Sequence, residues 1–522
     1  MKPFHSARRN LSLALLALRS VLHRVRPRSS SRDGLIRSMG KMGGFPQKIG
    51  QLLATTRLAT SDRAFEALSD GAGHLDDGTF TDLANRYWPV SARPFSSVVR
   101  TLERESHGAS LAQVKRAGLA DGSSVAIKVK YPDIEYSIRT DLRAVGVMLK
   151  PLESRRQKDP ASRYKALFAK ELEKELDYAR ELEQIQWFRS RLGSDPTVSI
   201  PRPLPEFCSD RVLVTEWASG GPVRSTLDWP YPARCQAAQG LVRLAMRCLF
   251  SWGRLHGDLN PGNLRFHLNR DGSPTVSVLD FGAVYDLEER EKNAWINLVD
   301  LGRSASIDAE SALEQFAAIG FDRDHLAPMK ARLPDICRCL AHPFREGKAI
   351  DTREWRLARD LAQALGDDRM RFRQAAPARF VLFIRSIQGL LHHLDALRAR
   401  ANWTVALDEA LGRDTQASLD DEASAVPVFA DASPQLPDLH LSVHRDGIQT
   451  VAVTLPNASL DDLELLVPDS VFHSPDLIKR VAEEARANRA HARELLNHLE
   501  EGLQVRIWLG SEIVNALESR LH

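Results

Sequence analysis

The sequence predicts an α+β protein with a small mixed lobe, a larger helical lobe and a separate small α/β unit near the C-terminal end. Helical and strand-like periods mix over residues 91–225, whereas long helical periods such as "QAAQGLVRLAMRCLFSWGRL" dominate residues 226–415. An acidic stretch punctuated by proline, residues 416–438, is typical of a linker. Strand-like alternation returns in residues 439–522, which indicates a further folded unit.

The composition is that of an ordinary globular chain. It has 522 residues, 43% of them hydrophobic and 27% charged, and a formal net charge of +3 that gives no reason to expect a nucleic-acid partner. Five scattered cysteines favour a reducing compartment over a disulfide framework. No run of about 18 apolar residues occurs, so we expect no transmembrane helix, and the cysteine usage leads us to expect a cytoplasmic protein.

The N-terminal part divides into a basic amphipathic segment, residues 1–35, and a helical extension, residues 36–90. The first contains "LSLALLALRSVLHRV", a short apolar helix with basic flanks. Three explanations are open for it: an anchor on an anionic membrane, a transit peptide, or a helix that docks on the body of the protein. An anchor would make the protein peripheral to the inner membrane surface.

The C-terminal unit begins with an alternating pattern, "LHLSVHRDGIQTVAVTL", around an Asp446-Gly447 turn. A helix is predicted over about residues 475–500, followed by a strand at "LQVRIWLG". No function follows from this pattern, although such a unit could recruit a protein partner.

In the small lobe, two β-rich runs around Asp121-Gly122 predict a hairpin. The second run, "VAIKV", places Lys128 on the same side of its strand as Ala126. A lysine inside an apolar strand either carries its ammonium to solvent or holds it against an acid and a ligand phosphate. The strand alone leaves both explanations open.

A glutamate-rich helical segment, "ALFAKELEKELDYARELEQIQWFRSRL", offers an acid for this lysine. Its apolar residues recur at helical spacings and form one stripe: Leu172, Leu176, Ala179, Leu182 and Ile185. Glu181 borders the stripe and can therefore project toward the lobe. Taken alone, a helix of this composition is more often a solvated surface.

The stretch "HGDLNPGNLRFHLNRDGSPTVSVLDFG" predicts a loop, a strand, a turn and a second strand. This order brings Asn263, just before the first strand, near Asp280, just after the second. An amide oxygen and a carboxylate suit Mg²⁺, which takes oxygen ligands and keeps water and phosphate oxygens. Asp258 lies earlier in the loop, where it can orient or deprotonate an attacking hydroxyl or water.

These signals occur in one order along the chain: a Val-Ala-Ile-Lys strand, His-x-Asp followed by an asparagine, a hairpin and Asp-Phe-Gly. A single Asp-Phe-Gly is commonly no more than a turn. The ordered set is typical of a kinase active site, so we expect a bilobal protein-kinase-like fold that binds ATP and Mg²⁺.

The same residues resemble one family, the UbiB/ADCK (aarF-domain) atypical kinases, over about residues 36–412. The segment "KMGGFPQKIGQLL" looks like the family's Lys-x-Gly-Gln signature, here Lys48, Gly50 and Gln51. In the family this signature belongs to an extension that folds over the active site. Ordinary kinases lack it.

Further motifs support the resemblance. "HGASLAQVKRA" is similar to the alanine-rich loop that replaces the glycine-rich nucleotide loop, and its matching residues are Ala109, Ser110 and Gln113. "KELDYARE" is similar to the segment that carries the Glu-x-Asp pair, Glu175 and Asp177, and the lysine-pairing Glu181.

The resemblance also covers the interlobe hinge. "VLVTEWASGGPV" matches it, and the hinge backbone at Glu216, Trp217 and Ala218 would meet the adenine.

The resemblance implies a Mg²⁺-dependent ATPase that supports membrane isoprenoid lipid metabolism, with a lipid or quinone precursor as a further ligand. Two alternatives remain at this point: a phosphotransferase acting on a lipid, small molecule or protein, and a nucleotide-binding scaffold. The complete set of Lys128, Asp258, Asn263 and Asp280 argues against a degraded active site.

Overall fold

The computed structural model describes residues 75–108, 111–132, 134, 160–413, 438–445, 448–455, 494–500 and 503–510. The chain divides into two compact units. One contains the described residues up to 413, and the other contains those from 438 onward.

Four strands form the small lobe of the larger unit: β1 (Val99–Gly108), β2 (Ala112–Leu119), β3 (Ser124–Lys130) and β5 (Val212–Glu216). They make an antiparallel sheet in the order β1-β2-β3-β5. The predicted hairpin joins β2 to β3, and Gly122 in its turn has a φ of 88°, which glycine adopts without strain. The hairpin prediction is confirmed.

The two faces of this sheet differ because side chains alternate along each strand. Three residues of β3 are fully buried on one face: Val125, Ile127 and Val129. They pack with apolar residues of helix α1 (Asp77–Tyr87), which precedes the short helix α2 (Phe95–Val98). Lys128 lies on the opposite face.

Two helices follow the sheet's first three strands, α3 (Pro160–Glu175) and α4 (Tyr178–Leu192). The sequence pattern indicated one continuous helical stripe through this region. The structure divides it, because the Asp177 side chain accepts a hydrogen bond from Arg180 N at 3.0 Å and so starts α4 anew.

The large lobe contains nine helices among the described residues: α5 (Tyr231–Met246), α6 (Glu289–Arg303), α7 (Ala309–Ile319), α8 (Arg323–Leu326), α9 (Leu333–Ala341), α10 (Leu357–Leu365), α11 (Arg369–Ala375), α12 (Phe380–Leu397) and α13 (Trp403–Leu411). One apolar cluster runs through most of this lobe and reaches α4 of the small lobe. The helical periods read from the sequence therefore form helices, and the bilobal α+β class is confirmed.

The other strands described in the larger unit are short and form three small sheets. They are β4 (Val198–Ser199), β6 (Arg254–His256), β7 (Leu264–Leu268), β8 (Pro274–Val278), β9 (Val284–Asp286), β10 (Ile350–Asp351) and β11 (Arg400–Ala401). β7 and β8 form an antiparallel hairpin, β4 pairs with β8 in parallel, and β6 pairs with β9. The loop after β6 and the loop after β8 consequently lie side by side, and Gly257 N donates to Ala283 O at 2.7 Å between them.

The smaller unit contains four described strands: β12 (Asp438–Arg445), β13 (Ile448–Leu455), β14 (Glu494–Glu500) and β15 (Leu503–Gly510). They form an antiparallel sheet in the order β13-β12-β15-β14. The first hairpin and the last strand agree with the sequence prediction. The predicted helix over 475–500 is wrong at its C-terminal end, since residues 494–500 pair with β15; tertiary pairing overrides the helix propensity of this segment.

Residues 1–74, which include the basic segment and most of the helical extension, lie outside the described residues. Most of the predicted linker does as well. Within the part of the chain that is described, no helix combines the length and apolar character needed to cross a membrane.

Close helix packing in the large lobe depends on Gly302 of α6. A Cβ there would overlap Cys337 O and the Ala341 Cβ of α9. We therefore expect Gly302→Ala to lower the free energy of unfolding by about 1 to 3 kcal/mol, because the overlap includes backbone that cannot rotate away. Urea unfolding measures the change.

The matched control is Gly262→Ala, since a Cβ at Gly262 meets no atom within 4 Å. It should leave the free energy of unfolding unchanged or slightly higher. Equal effects of the two substitutions would contradict this account of the α6–α9 contact.

Candidate nucleotide and metal site

The Lys128 side chain connects three parts of the fold: strand β3, helix α4 and the loop after β8. Its Nζ donates hydrogen bonds to Glu181 of α4, reaching Oε1 at 2.9 Å and Oε2 at 3.0 Å. It also donates to Oδ2 of Asp280, in the loop after β8, at 3.1 Å. The contact expected between Lys128 and Glu181 is therefore present, while the catalytic roles of both remain predictions.

Both members of this ion pair are largely withdrawn from solvent: the Glu181 side chain is 1% exposed and that of Lys128 is 14% exposed. Burial tends to lower the pKa of Lys128, but the charges of Asp280 and Glu181 outweigh it and hold the pKa well above its usual value. Burial raises the pKa of Glu181 to about 7, although the Lys128 charge opposes this shift. The site thus keeps a fixed cation at neutral pH.

Asn263 and Asp280 lie side by side across the β7–β8 hairpin. Leu279 N donates to Asn263 O at 3.0 Å, which joins the residue before β7 to the segment after β8. The Asn263 amide nitrogen donates to Asp258 O at 2.9 Å, so the amide oxygen is the atom that can bind a cation. The order of the strands thus joins the two segments as expected, while the convergence of the amide oxygen and the carboxylate on a metal remains a prediction.

The donor types of this pair fit Mg²⁺, which accepts amide and carboxylate oxygens and completes its shell with water and phosphate oxygens. Asp280 Oδ1 also accepts from Gly282 N at 2.9 Å, which holds its carboxylate in place. Among the described residues, no group of three or more His, Cys, Asp or Glu could form a different metal centre.

Asp258 is buried, and its carboxylate is held from two directions. Arg385 Nη2 forms an ion pair with Asp258 Oδ1, and the two side chains are 4% and 5% exposed. The Asn260 side-chain nitrogen donates to the same oxygen. Sequence reasoning missed Arg385, which lies on α12 and is distant from the loop along the chain.

His256 joins the Asp258 loop to the Asp280 loop. Asp258 N donates to its Nδ1 at 3.3 Å, and its Nε2 contacts the carbonyl oxygen of Asp280. Burial lowers the pKa of His256, so the ring is neutral and the Nε2 proton faces that carbonyl. The two aspartates are thereby held in one framework.

Helix α12 packs under the Asp258 loop, and the residues on this side of the helix are spaced four apart: Arg385, Gly389 and His393. A Cβ at Gly389 would overlap Leu259 O, so only glycine allows the helix to lie this close to the loop. His393 is fully buried against Phe266, with ring centroids 5.7 Å apart, and burial lowers its pKa to about 3. Arg385, Gly389 and His393 are polar or small residues that recur four apart on one face of a largely apolar helix, and this spacing is a signal present in the sequence.

The three hinge residues differ in whether their backbone N–H group donates a hydrogen bond within the protein. Glu216 N donates to Arg202 O at 2.8 Å and Trp217 N to Ser124 O at 3.0 Å. Ala218 N donates no hydrogen bond to another residue in the described part of the chain. Of the three predicted hinge residues, Ala218 is the one whose amide could meet the adenine.

Gln113 has a different place from the one predicted. Val114 pairs with Lys128, so the neighbouring Gln113 points to the opposite face of the sheet. Its side chain is fully buried, accepts from Leu75 N at 2.6 Å and donates to Leu75 O at 3.2 Å. The expected nucleotide contact of this side chain is not supported, because it ties the segment before α1 to β2.

The two residues of the Glu-x-Asp pair have different surroundings. Asp177 caps α4, which is a structural role. Glu175 lies beside the Asp-Phe-Gly glycine, since a Cβ on Gly282 would be 3.4 Å from Glu175 Cγ. Arg180 Nη1 of α4 donates to Gly282 O at 3.2 Å, so residues of both α3 and α4 lie against this loop.

Five predicted site residues lie outside the described residues: Lys48, Gly50, Gln51, Ala109 and Ser110. Their roles remain predictions.

The fold is that of a kinase-type protein, and comparison with known proteins agrees with the sequence resemblance. Residues 92–311 match the model of the ABC1 atypical kinase-like domain. This match and the curated relatives support the resemblance to the UbiB/ADCK family of atypical kinases that the sequence predicted.

Two curated relatives illustrate the similarity. The atypical kinase coq-8, mitochondrial, of Caenorhabditis elegans is 25% identical over 308 residues, covering 56% of this chain and 39% of the relative. The atypical kinase COQ8B, mitochondrial, of Rattus norvegicus is 33% identical over 259 residues, covering 49% and 48%. The chain therefore spans less than two thirds of the length of these relatives.

Among solved structures, the complex of Rv3197 with erythromycin from Mycobacterium tuberculosis is 22% identical. The match covers 73% of this chain and 95% of that chain, with a TM-score of 0.49.

The buried ion pair between Arg385 and Asp258 leads to a prediction. Arg385→Met should lower the free energy of unfolding by about 3 to 5 kcal/mol, because it leaves the Asp258 charge buried without its cation. Adding Asp258→Asn to that variant should recover part of the loss. Urea unfolding of both single variants and the double variant measures the coupling.

Additive effects of the two substitutions would contradict the pairing. Arg371→Met is a suitable control, since Arg371 forms an exposed ion pair with Asp368 and its loss should cost no more than about 1 kcal/mol.

Proposed function

We propose that this protein is a Mg²⁺-dependent ATPase of the atypical-kinase type that supports membrane isoprenoid lipid metabolism of the ubiquinone kind. The observation that carries the proposal is the position of Lys128, bonded to both Glu181 and Asp280. A lysine held by an acid of the helix and lying beside the metal-binding carboxylate is the arrangement that phosphoryl-transfer sites of the kinase fold require.

Each remaining residue has a role in this proposal. The Ala218 amide receives the adenine edge at the hinge, and Lys128 meets the phosphates. Asn263 and Asp280 would hold Mg²⁺, which when bound would supply charge neutralisation for the phosphates. Glu181 keeps Lys128 in place while the phosphates arrive.

The surroundings of Asp258 support a role in orienting the nucleophile. Arg385 forms an ion pair with its Oδ1, and Asn260 donates a hydrogen bond to the same oxygen. An ion-paired carboxylate is a weaker base, so Asp258 would orient its nucleophile rather than fully deprotonate it. We propose water as this nucleophile.

The lipid part of the proposal rests on the similarity to curated relatives. The relatives named above carry the designation COQ8 and are described as mitochondrial. Contact with an anionic membrane surface would involve the basic segment, residues 1–35, through its excess of arginine over acids. A lipid or quinone precursor would be the ligand whose handling the ATPase cycle serves.

The proposal is tested by following the γ-phosphate. Purified full-length protein is incubated with Mg²⁺ and γ-labelled ATP in a lipid extract, and the label is separated into free phosphate, protein and lipid. Asp258→Asn should bind Mg²⁺-ATP normally but release phosphate at least about a hundredfold more slowly, because the nucleophile is no longer oriented. Asp280→Asn should lose Mg²⁺-dependent binding.

The control is Asp271→Asn, the same substitution at the exposed turn of the β7–β8 hairpin, which should leave phosphate release unchanged. Label on protein or lipid that Asp258→Asn abolishes would show a phosphotransferase instead. Nucleotide binding without any release would show a scaffold and would contradict the ATPase proposal.

A further inference from the structure

Strand β3 presents a second lysine on the same face as Lys128. Lys130 is two residues further along, so its side chain projects from the same side of the sheet. It is 4% exposed, which is unusual for a lysine, because burying an ammonium is costly. No motif singled it out, and the proposed mechanism above does not use it.

One aromatic ring contacts both lysines. Tyr178 is the first residue of α4, is buried, and lies under the Lys128 Nζ at 5.3 Å and the Lys130 Nζ at 4.7 Å from its ring centroid. Both distances are within the range of cation–π attraction, which is strongest for desolvated groups. Burial raises the pKa of Tyr178, so the ring stays neutral and available to both cations.

The start of α4 fixes the Tyr178 ring. Asp177 caps the helix immediately before it, and Glu181, one turn later, holds Lys128 on the same helix face. A single helical turn therefore holds Lys128 with its acid and Lys130 with its ring. Both ammonium groups thus contact side chains of the same helical turn.

The direction of β3 gives the two lysines different positions along the cleft. Val125 of β3 pairs with Glu216 at the hinge, where the proposed function puts the adenine. At about 3.3 Å per residue, Lys128 lies roughly 10 Å and Lys130 roughly 17 Å along the strand from Val125. The phosphate chain of a nucleotide extends away from the adenine, so the farther lysine corresponds to the outer phosphate.

We propose that Lys130, positioned by the Tyr178 ring, is a second phosphate-binding cation that contacts the γ-phosphate and lets the site distinguish a nucleoside triphosphate from a diphosphate. The inference rests on the proposed function, since it places a nucleotide in this cleft. Lys128 serves the inner phosphates of either nucleotide. Tyr178 acts through the lysines and is a positioning residue.

The test is calorimetric binding of Mg²⁺-ADP and of a Mg²⁺-loaded, non-hydrolysable ATP analogue to the full-length protein. Lys130→Met should weaken binding of the triphosphate analogue at least about tenfold and binding of ADP less than about threefold. The reason is that the lost charged contact is made only to the γ-phosphate. Lys128→Met should weaken both ligands. Lys130→Gln replaces Lys130→Met if the latter fails to fold.

Tyr178 is tested by two substitutions. Tyr178→Leu removes the ring and should reproduce the selective loss of triphosphate affinity, whereas Tyr178→Phe keeps the ring and should retain the wild-type ratio of the two affinities. A purely structural role would weaken both nucleotides equally or lower the melting temperature without changing the ratio.

Lys115→Met is the matched control, because Lys115 is a fully buried lysine on the opposite face of the sheet, paired with Asp77. It should leave the affinity ratio unchanged. An unchanged ratio in the Lys130 variants, with normal wild-type binding, would overturn this inference alone. A wild-type protein that binds neither nucleotide would contradict the proposed function as well.

Discussion

The contact of one ammonium group with two carboxylates is the constraint on which the site depends. Lys128 comes from the sheet, Glu181 from the helix beside it and Asp280 from the loop after the β7–β8 hairpin, so the contact joins the two lobes. Buried charges are costly unless they are paired, and Lys128 pairs here with carboxylates from two other elements. The geometry of the cleft is therefore coupled to the fold of both lobes.

The Asp258 loop also contains a buried charge that is paired with a charge from a distant element. Its buried carboxylate takes its cation from α12, and the close approach of that helix is possible because Gly389 has no side chain. The neutral His256 then links this loop to Asp280. The groups proposed for nucleophile orientation and for metal binding are consequently one rigid assembly, set on the apolar core of the large lobe.

Features that depend on residues close together in the sequence could be predicted, whereas contacts between distant segments could not. Strand alternation and the order of the hairpin are local, so Lys128 and the Asn263–Asp280 convergence followed from the pattern. Arg385 could not be assigned to Asp258, because that contact arises only when α12 packs under the loop. The contact of Gln113 with Leu75 could not be predicted either, since the face on which Gln113 lies depends on the register of the β2–β3 pair. The strand at residues 494–500 was read as helix because pairing with its neighbour overrides local propensity.

The most direct measurement of the central claim is a crystal structure with Mg²⁺ and a non-hydrolysable ATP analogue. The account predicts that Asn263 and Asp280 bind the metal, that Lys128 leaves Asp280 for a phosphate oxygen, and that it keeps its contact with Glu181. A nucleotide bound outside this cleft, or a metal that does not touch Asp280, would contradict it.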